Sequence, residues 1–96
     1  MTLRWTRPAL RDLDEIHAYI AERDPAAALR TARLLRAQAE SLTAHPLMGC
    51  AGRVDGTREL VAAGLPFIVA YRVTEAAVDV LAIRRGARAW PARMEE

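Results

Sequence analysis

The segments GLPFIVAYRV (residues 64–73) and VDVLAIRRGARAWP (residues 78–91) decide the fold, because each carries the β-branched and aromatic residues typical of a strand. The four residues between them, TEAA, allow only a tight connection, which favours antiparallel pairing. The second segment ends in a basic stretch. Four arginines and no acid lie within residues 81–94, whereas the charges of the remaining chain nearly balance. This concentration of charge indicates a contact surface at the end of a strand.

The chain has the length and composition of one globular domain, residues 1–96. It is 52% hydrophobic and 27% charged, which is not the composition of a disordered chain. No apolar run approaches the roughly 18 residues of a membrane-spanning helix. Charged and apolar residues alternate from Arg4 onward, unlike in a signal peptide. The single cysteine, Cys50, fits a reducing compartment. We therefore expect a cytoplasmic protein.

Two amphipathic helices are predicted ahead of these strands. Pro8 suits the first turn of a helix that ends near Glu22, and Asp24 followed by Pro25 is typical of the start of a second helix. The second helix is expected to end before Pro46. Apolar residues recur at steps of three and four along both helices: Ala9, Leu13, Ile16 and Ile20, then Ala28, Ala32, Leu35, Ala39 and Leu42. The short connection predicts an antiparallel helical hairpin.

The order of elements predicts an α+β fold, βααβββ. Strand patterns occupy residues 3–5, 58–62, 67–73 and 78–84, with a glycine- and proline-containing loop over residues 45–56. The helical hairpin is expected to pack on one face of an antiparallel sheet. The predicted contacts with the sheet come from Leu13, Ile16, Ile20, Leu35 and Leu42.

Apolar residues also lie on the sheet face that the helices leave free. Strict alternation along the last two strands places Ile68, Leu81 and Ile83 on this second face. A continuous apolar patch on a small protein is typical of a binding surface. The alternative is that sheet twist and the C-terminal residues shield these side chains. The trio Ile68, Leu81 and Ile83 is therefore our candidate partner-binding surface.

The chain shows no convincing catalytic or metal-binding motif. His17 and His45 have no partner at a spacing typical of a site, no cysteine–histidine cluster has metal-ligand spacing, and no glycine-rich phosphate loop is present. No neighbour of Cys50 in the sequence would activate its thiol, so we expect an inert cysteine. Glu59 and His45 are the only candidates for proton transfer, and the sequence does not bring them together. We predict no metal and no cofactor.

The same order of elements resembles the ParE/RelE superfamily of bacterial toxins from type II toxin–antitoxin modules. The resemblance covers residues 3–91. It rests on five short segments: HP at 45–46, GTREL at 56–60, PF at 66–67, IVAYR at 68–72 and GARAWP at 86–91. The GTREL segment and the ending R-x-G-A-R-x-W-P are fairly specific for the ParE branch.

The resemblance implies a small toxin that a co-expressed, ParD-like antitoxin wraps and neutralises, as in plasmid-stabilisation modules. ParE members are thought to poison DNA gyrase, whereas RelE members cleave mRNA on the ribosome. The RelE-type site uses lysines, arginines and a late tyrosine. This chain has no lysine, and its tyrosines, Tyr19 and Tyr71, lie far from the C-terminus. In the ParE pattern, a histidine often stands where this chain has Arg85.

We therefore interpret the chain as a non-enzymatic ParE-like toxin that contacts gyrase and binds no nucleic acid directly. The expected target surface comprises Arg84, Arg85, Arg88 and Trp90, although Trp90 serves equally well as a lid over the core. One alternative is an mRNA endonuclease that binds phosphate through Arg53, Arg58 and Arg85. Another is an inactive relative that only binds its antitoxin.

Overall fold

The computed structural model describes residues 1–86, which form two helices and one five-stranded sheet. The helices are α1 (Arg7–Ala21) and α2 (Pro25–Ser41). The strands are β1 (Thr2–Trp5), β2 (Cys50–Ala51), β3 (Arg58–Val61), β4 (Phe67–Val73) and β5 (Ala77–Arg85). The predicted α+β fold is confirmed: along the chain the helical hairpin follows β1 and precedes the later strands, as expected. The basic tail that contains Arg88 and Trp90 lies outside the described residues.

Both helices begin where the sequence predicts. The Thr6 hydroxyl accepts a hydrogen bond from the backbone N–H of Ala9 and caps α1, and the Asp24 carboxylate does the same for α2 through the N–H of Ala27. Each helix then has a proline in its first turn, where the missing N–H costs nothing. The first cap also joins the helix to the sheet, because the Thr6 hydroxyl donates to the carbonyl of Val80 at 2.8 Å.

The sheet has the strand order β1-β5-β4-β3-β2. The pairs β4–β5, β3–β4 and β2–β3 are antiparallel, as the short connections predict. The expectation of a wholly antiparallel sheet is wrong at β1, which pairs in parallel with β5 after the chain has crossed over through the hairpin. The two-residue strand β2 was not predicted, because a single pair of bridges inside a loop leaves no period-two pattern.

The core lies between the hairpin and one sheet face. Leu13, Leu35, Val69 and Val80 are buried together there, and Ile16 packs against them. A smaller cluster joins Leu42 to Tyr71 and Val78. Leu35 is fully buried, as predicted for the sheet-facing side of α2. At about 25 cal/mol per Å² of apolar area removed from water, this layer is the main stabilising contribution of the fold.

A β-bulge in β5 changes which side chains share a face. Ala70 pairs with Ala82, but the next residue of β4, Tyr71, pairs with Val80, so Leu81 is an extra residue in β5. Beyond the bulge the alternation is therefore inverted. Ile83 pairs with Val69 and belongs to the core cluster beneath α1. The prediction that Ile83 lies on the helix-free face is wrong for this reason.

Candidate functional site

The helix-free face of the sheet contains a concave basic cavity of about 250 Å³. Its floor is formed by Ala70 and Ala82, a directly opposed pair of small residues in β4 and β5. The bulge adds Leu81 to the same surface. Around this floor stand Arg53, from the loop after β2, Arg72, from the end of β4, and Arg84, from the end of β5, together with Glu59, Val54 and Thr57. All three arginine side chains belong to exposed residues, so their charges remain accessible to a partner.

Glu59 is the one acidic side chain that lines this cavity. It lies in β3 opposite Ala70 and is only 7% exposed. Its Oε2 atom accepts a hydrogen bond of 3.2 Å from the backbone N–H of Arg53. This bond ties the loop after β2 to the sheet and holds Arg53 at the cavity rim. A nearly buried carboxylate among three guanidinium groups has two chemical uses: it orients arginines, or it accepts a proton.

An ion pair extends the polar surface towards β1. The Nε and Nη2 atoms of Arg4 donate to the two carboxylate oxygens of Asp79 at 2.7 and 3.2 Å, across the parallel β1–β5 pairing. The hydrogen bond from Arg4 lowers the pKa of Asp79; burial opposes that effect, and the charges of Arg4 and Arg72 add to it. The same hydrogen bond raises the pKa of Arg4. This pair fixes the register of β1 beside the candidate site.

The structure separates the two adjacent arginines of the predicted target surface. Arg84 lies opposite Ile68 and lines the basic cavity, whereas Arg85 lies opposite Phe67 on the helix-covered side. The Arg85 guanidinium stands over the Phe67 ring at 5.4 Å from its centroid, a cation–π contact. Successive residues of a strand point to opposite faces. The two arginines therefore cannot form one flat contact surface.

The predicted apolar trio is divided in the same way. Ile68 is buried and lies on the helix-free face, where its side chain approaches Gly86. Leu81 is half-buried and contributes to the cavity. Ile83 belongs to the opposite, core-forming face. The apolar part of the helix-free face is therefore Ile68, Ala70, Leu81 and Ala82.

The predicted endonuclease residues are not brought together either. Arg58 donates from Nη2 to the carbonyls of Leu47 and Gly49 at 3.1 and 2.6 Å. These hydrogen bonds hold the loop before β2 against the sheet. Arg85 lies on the other face, so only Arg53 of the predicted phosphate-binding set lines the cavity. His45 is exposed at the end of α2 and does not line the cavity with Glu59.

Arg72 is the site residue that sequence analysis did not single out. The alternation Ile68, Ala70, Arg72 already places it on the helix-free face. Its proximity to Arg53 could not be predicted from the sequence, because Arg53 lies in a loop. No group of three or more potential metal ligands occurs within residues 1–86. Across the same residues, no helix has both the length and the apolar character to cross a membrane.

Comparison with known proteins identifies the family. Residues 3–90 match the family described as the ParE toxin of the type II toxin–antitoxin system, parDE. The chain belongs to the ParE toxin family. "Putative toxin Y4kP" of Sinorhizobium fredii is 42% identical over 89 residues, which cover 93% of this chain and 92% of that protein. Toxin RelE2 of Caulobacter vibrioides is 38% identical over 84 residues, covering 88% and 93%.

Two solved structures share the fold. A chain of the chromosomal ParDE toxin–antitoxin system from P. aeruginosa superposes with a TM-score of 0.82 at 31% identity, covering 90% of this chain and 96% of that chain. A chain of the RelBE2 toxin–antitoxin complex from Mycobacterium tuberculosis superposes with a TM-score of 0.54 at 26% identity, covering 88% and 95%. The predicted ParE/RelE resemblance is confirmed: this ParE family member is a toxin of a type II toxin–antitoxin module.

Proposed function

We propose that this ParE family toxin inhibits DNA gyrase by protein–protein contact and is neutralised by a ParD-like antitoxin. It acts in the cytoplasm, where gyrase works, and requires no cofactor. The family match over residues 3–90 and the higher TM-score with the ParDE chain than with the RelBE2 chain support this choice. The name of the Caulobacter relative, RelE2, leaves the ribosomal alternative to be tested.

The observation that carries the proposal is the composition of the basic cavity. Its described lining offers three arginines for binding and a single group, Glu59, for proton transfer. Cleavage of RNA profits from a base and a separate acid near the same phosphate. The described tyrosines lie elsewhere: Tyr71 is fully buried in the core, and Tyr19 is exposed on α1. Such a surface is better suited to holding acidic groups of a protein than to transferring protons.

Arg72 and Arg84 carry the proposed gyrase contact on the helix-free face. Arg85, on the other face of β5, and Arg88 and Trp90, which lie outside the described residues, remain part of the proposed target surface. Arginine recognises carboxylates with two parallel hydrogen bonds, and charged groups at an interface raise the association rate as well as specificity. The acidic groups of the target are therefore expected to meet Arg72 and Arg84.

A supercoiling assay with purified gyrase tests this proposal. The double variant Arg72→Ala/Arg84→Ala is expected to lose inhibition while its urea midpoint stays close to that of the wild type, because exposed charges contribute little to stability. The matched control is Arg30→Ala/Arg33→Ala, which removes two exposed arginines from α2. It should inhibit gyrase like the wild type. Equal inhibition by both double variants would refute the assignment of this face.

The second candidate function is ribosome-dependent mRNA cleavage. It is favoured by one observation, the position of the nearly buried Glu59 carboxylate beside Arg53 and Arg84. If cleavage is the activity, Glu59→Gln abolishes it, and translating ribosomes yield cut mRNA while gyrase runs normally. If gyrase inhibition is the activity, ribosome-bound mRNA stays intact. A toxin that affects neither system is the inactive, antitoxin-binding relative.

For antitoxin binding we propose the apolar part of the helix-free face, Ile68 and Leu81; Ile83 lies on the opposite face and is not part of it. An antitoxin segment that orders on binding is expected to place apolar residues on this patch and acids against the surrounding arginines. Hydrogen exchange of β4 and β5 with and without the product of the neighbouring gene measures the contact. Unchanged exchange throughout both strands would refute this location.

A further inference from the structure

The helical hairpin has a groove of its own, about 430 Å³ in volume, between α1 and α2. No strand within residues 1–86 contributes to its lining. Its floor is apolar and is formed by the buried Leu13 and the half-buried Ala32. The walls are built from exposed residues of both helices: Asp14 and His17 from α1, and Leu29, Arg33 and Arg36 from α2. This groove shares no residue with the basic cavity.

The charges of this groove are divided between its two walls. The α1 wall carries the Asp14 carboxylate, and the α2 wall carries the guanidinium groups of Arg33 and Arg36. None of the three belongs to an ion pair within residues 1–86, where Arg4 and Asp79 form the one such pair. Opposite charges that lack a partner within the chain suit an interface that brings them together.

The antiparallel hairpin places the opposite charges at the same level. α1 ends at Ala21 and α2 begins at Pro25, so residues equally far from this connection lie side by side. Asp14 lies seven residues before the end of α1, and Ala32 and Arg33 lie seven and eight residues after the start of α2. Because Asp14 and Arg33 both line the groove, their charges stand level with each other on opposite walls.

This layout makes the groove complementary to itself. When two hairpins meet face to face about a twofold axis parallel to the helices, α1 of each copy lies over α2 of the other. Asp14 then faces Arg33 of the second copy at the same level, and the symmetry makes this contact twice. A twofold axis across the helices instead sets α1 against α1 and α2 against α2, which opposes like charges. The charge layout therefore selects the first arrangement.

We propose that a second copy of this chain binds the groove, so that two hairpins form a four-helix bundle in which Asp14 of each copy pairs with Arg33 of the other. Leu10, one turn before Asp14, and Leu29 are 42% and 46% exposed, and the bundle covers both side chains. A partner segment of one charge sign would meet its own sign on one of the two walls. A second copy meets the opposite sign on both walls.

The dimer leaves the basic cavity free. The hairpin covers one face of the sheet and the cavity lies on the other, so the two cavities of the dimer point away from each other. Gyrase inhibition by one copy therefore does not require the dimer, and Arg30→Ala/Arg33→Ala remains a control for the inhibition assay. Inhibition tests the gyrase contact and molecular mass tests the dimer, so each can fail while the other holds.

Sedimentation equilibrium of the purified full-length chain, free of antitoxin, tests the dimer. The wild type is expected to show a concentration-dependent equilibrium between monomer and dimer. Asp14→Arg and Arg33→Asp should each raise the dissociation constant at least about tenfold, because each creates two like-charge contacts in the symmetric dimer. Their urea midpoints should stay close to that of the wild type, since both positions are exposed. The matched control Glu15→Arg reverses a neighbouring charge on α1 that lines a different groove, and it should dimerise like the wild type.

Mixing the two variants provides a specific rescue. In a mixed dimer, the substituted positions of the two chains meet as opposite charges, and the other contact is an original Asp14–Arg33 pair. The mixture should therefore dimerise at the concentrations that suffice for the wild type. The double variant Asp14→Arg/Arg33→Asp should also dimerise by itself, because both of its contacts join opposite charges.

A wild type that stays monomeric up to its solubility limit would overturn the proposal. A dimer that Asp14→Arg leaves unchanged would place the interface elsewhere, and a mixture that stays monomeric would refute the pairing of Asp14 with Arg33. Protection of the groove from hydrogen exchange only after addition of the neighbouring gene product would also overturn it, because the occupant would then be the antitoxin.

Discussion

Replacing Tyr71 by phenylalanine probes the contact that holds the loop before β2 onto the sheet. Tyr71 is fully buried in β4. Its hydroxyl donates to the carbonyl of Pro46 at 2.7 Å and accepts the N–H of Gly49 at 2.9 Å. Gly49 is itself buried, and a Cβ there would lie 2.8 Å from the same hydroxyl. The loop therefore approaches the sheet as closely as its backbone allows, and one oxygen satisfies two of its polar groups.

The size of the effect follows from what each group loses. The ring stays in place, so no cavity larger than a hydroxyl forms. The N–H of Gly49 is left buried without its acceptor, which costs about 1–3 kcal/mol. The carbonyl of Pro46, on a half-buried residue, can bind water instead, so losing its hydrogen bond costs about 0.5–1.5 kcal/mol. Tyr71→Phe should therefore destabilise the fold by roughly 1.5–4.5 kcal/mol, with a shift in Tm of about 4–8 °C for each kcal/mol in a domain of this size.

Urea unfolding followed by circular dichroism measures this change, and hydrogen exchange at Gly49 locates it. The matched control is Tyr19→Phe, because that side chain is exposed and its hydroxyl forms no hydrogen bond within residues 1–86. The control should unfold like the wild type. If Tyr71→Phe also unfolded like the wild type and kept Gly49 protected, the hydroxyl would not be what fastens the loop, and the reasoning would be refuted.

Three further substitutions test other parts of the fold by urea unfolding. Leu35→Ala removes a fully buried side chain from the hairpin–sheet layer and should cost about 2–5 kcal/mol; no loss would mean that α2 does not pack as described. Thr6→Val removes the cap of α1 and should cost about 1 kcal/mol, whereas wild-type stability would make the cap dispensable. Because the pKa of Asp79 is lowered, its pair with Arg4 stabilises the fold at pH values above 3.8, the ordinary pKa of an aspartate. This stabilisation is lost as the pH falls through the lower, folded-state pKa. Asp79→Asn should therefore be less stable than the wild type at neutral pH, and the difference should shrink as the pH falls below 3.8. A pH-independent difference would contradict the linkage.

The helices and the long strands were predictable because their signals are local. The cap Asp24 with the proline after it, and the three-and-four spacing up to Leu42, each relate residues that are no more than four positions apart. The partner of β1 was not predictable in this way. Its four residues contain one apolar pair, Leu3 and Trp5, and nothing in them specifies that the strand lies parallel to β5, more than 70 residues away.

The candidate site was predictable only in part, for a physical reason that concerns one residue. Arg84 was singled out because charge concentrates at the end of β5, and it does line the basic cavity. A leucine is an ordinary residue in an alternating strand, and no glycine or proline next to Leu81 indicates a bulge. Strict alternation therefore places everything after it on the wrong face, including Ile83. Arg53 lies in a loop, and a loop has no regular alternation of side chains from which its position at the site could be predicted.

The inserted residue also decides which arginine of the pair faces which side of the sheet. Without the bulge, strict alternation from Val80 through Leu81 would place Arg84 on the core side and Arg85 on the helix-free side. With the bulge, Arg84 joins Arg72 at the basic cavity, and Arg85 reaches the Phe67 ring on the helix-covered side. Deleting Leu81 removes the extra residue, so Ala82 follows Val80 in regular alternation and both arginines keep their present faces. Gyrase inhibition by the deletion variant should therefore still depend on Arg84, which Arg84→Ala in that background measures directly. A transfer of this dependence to Arg85 would show that Leu81 is not the extra residue of the strand.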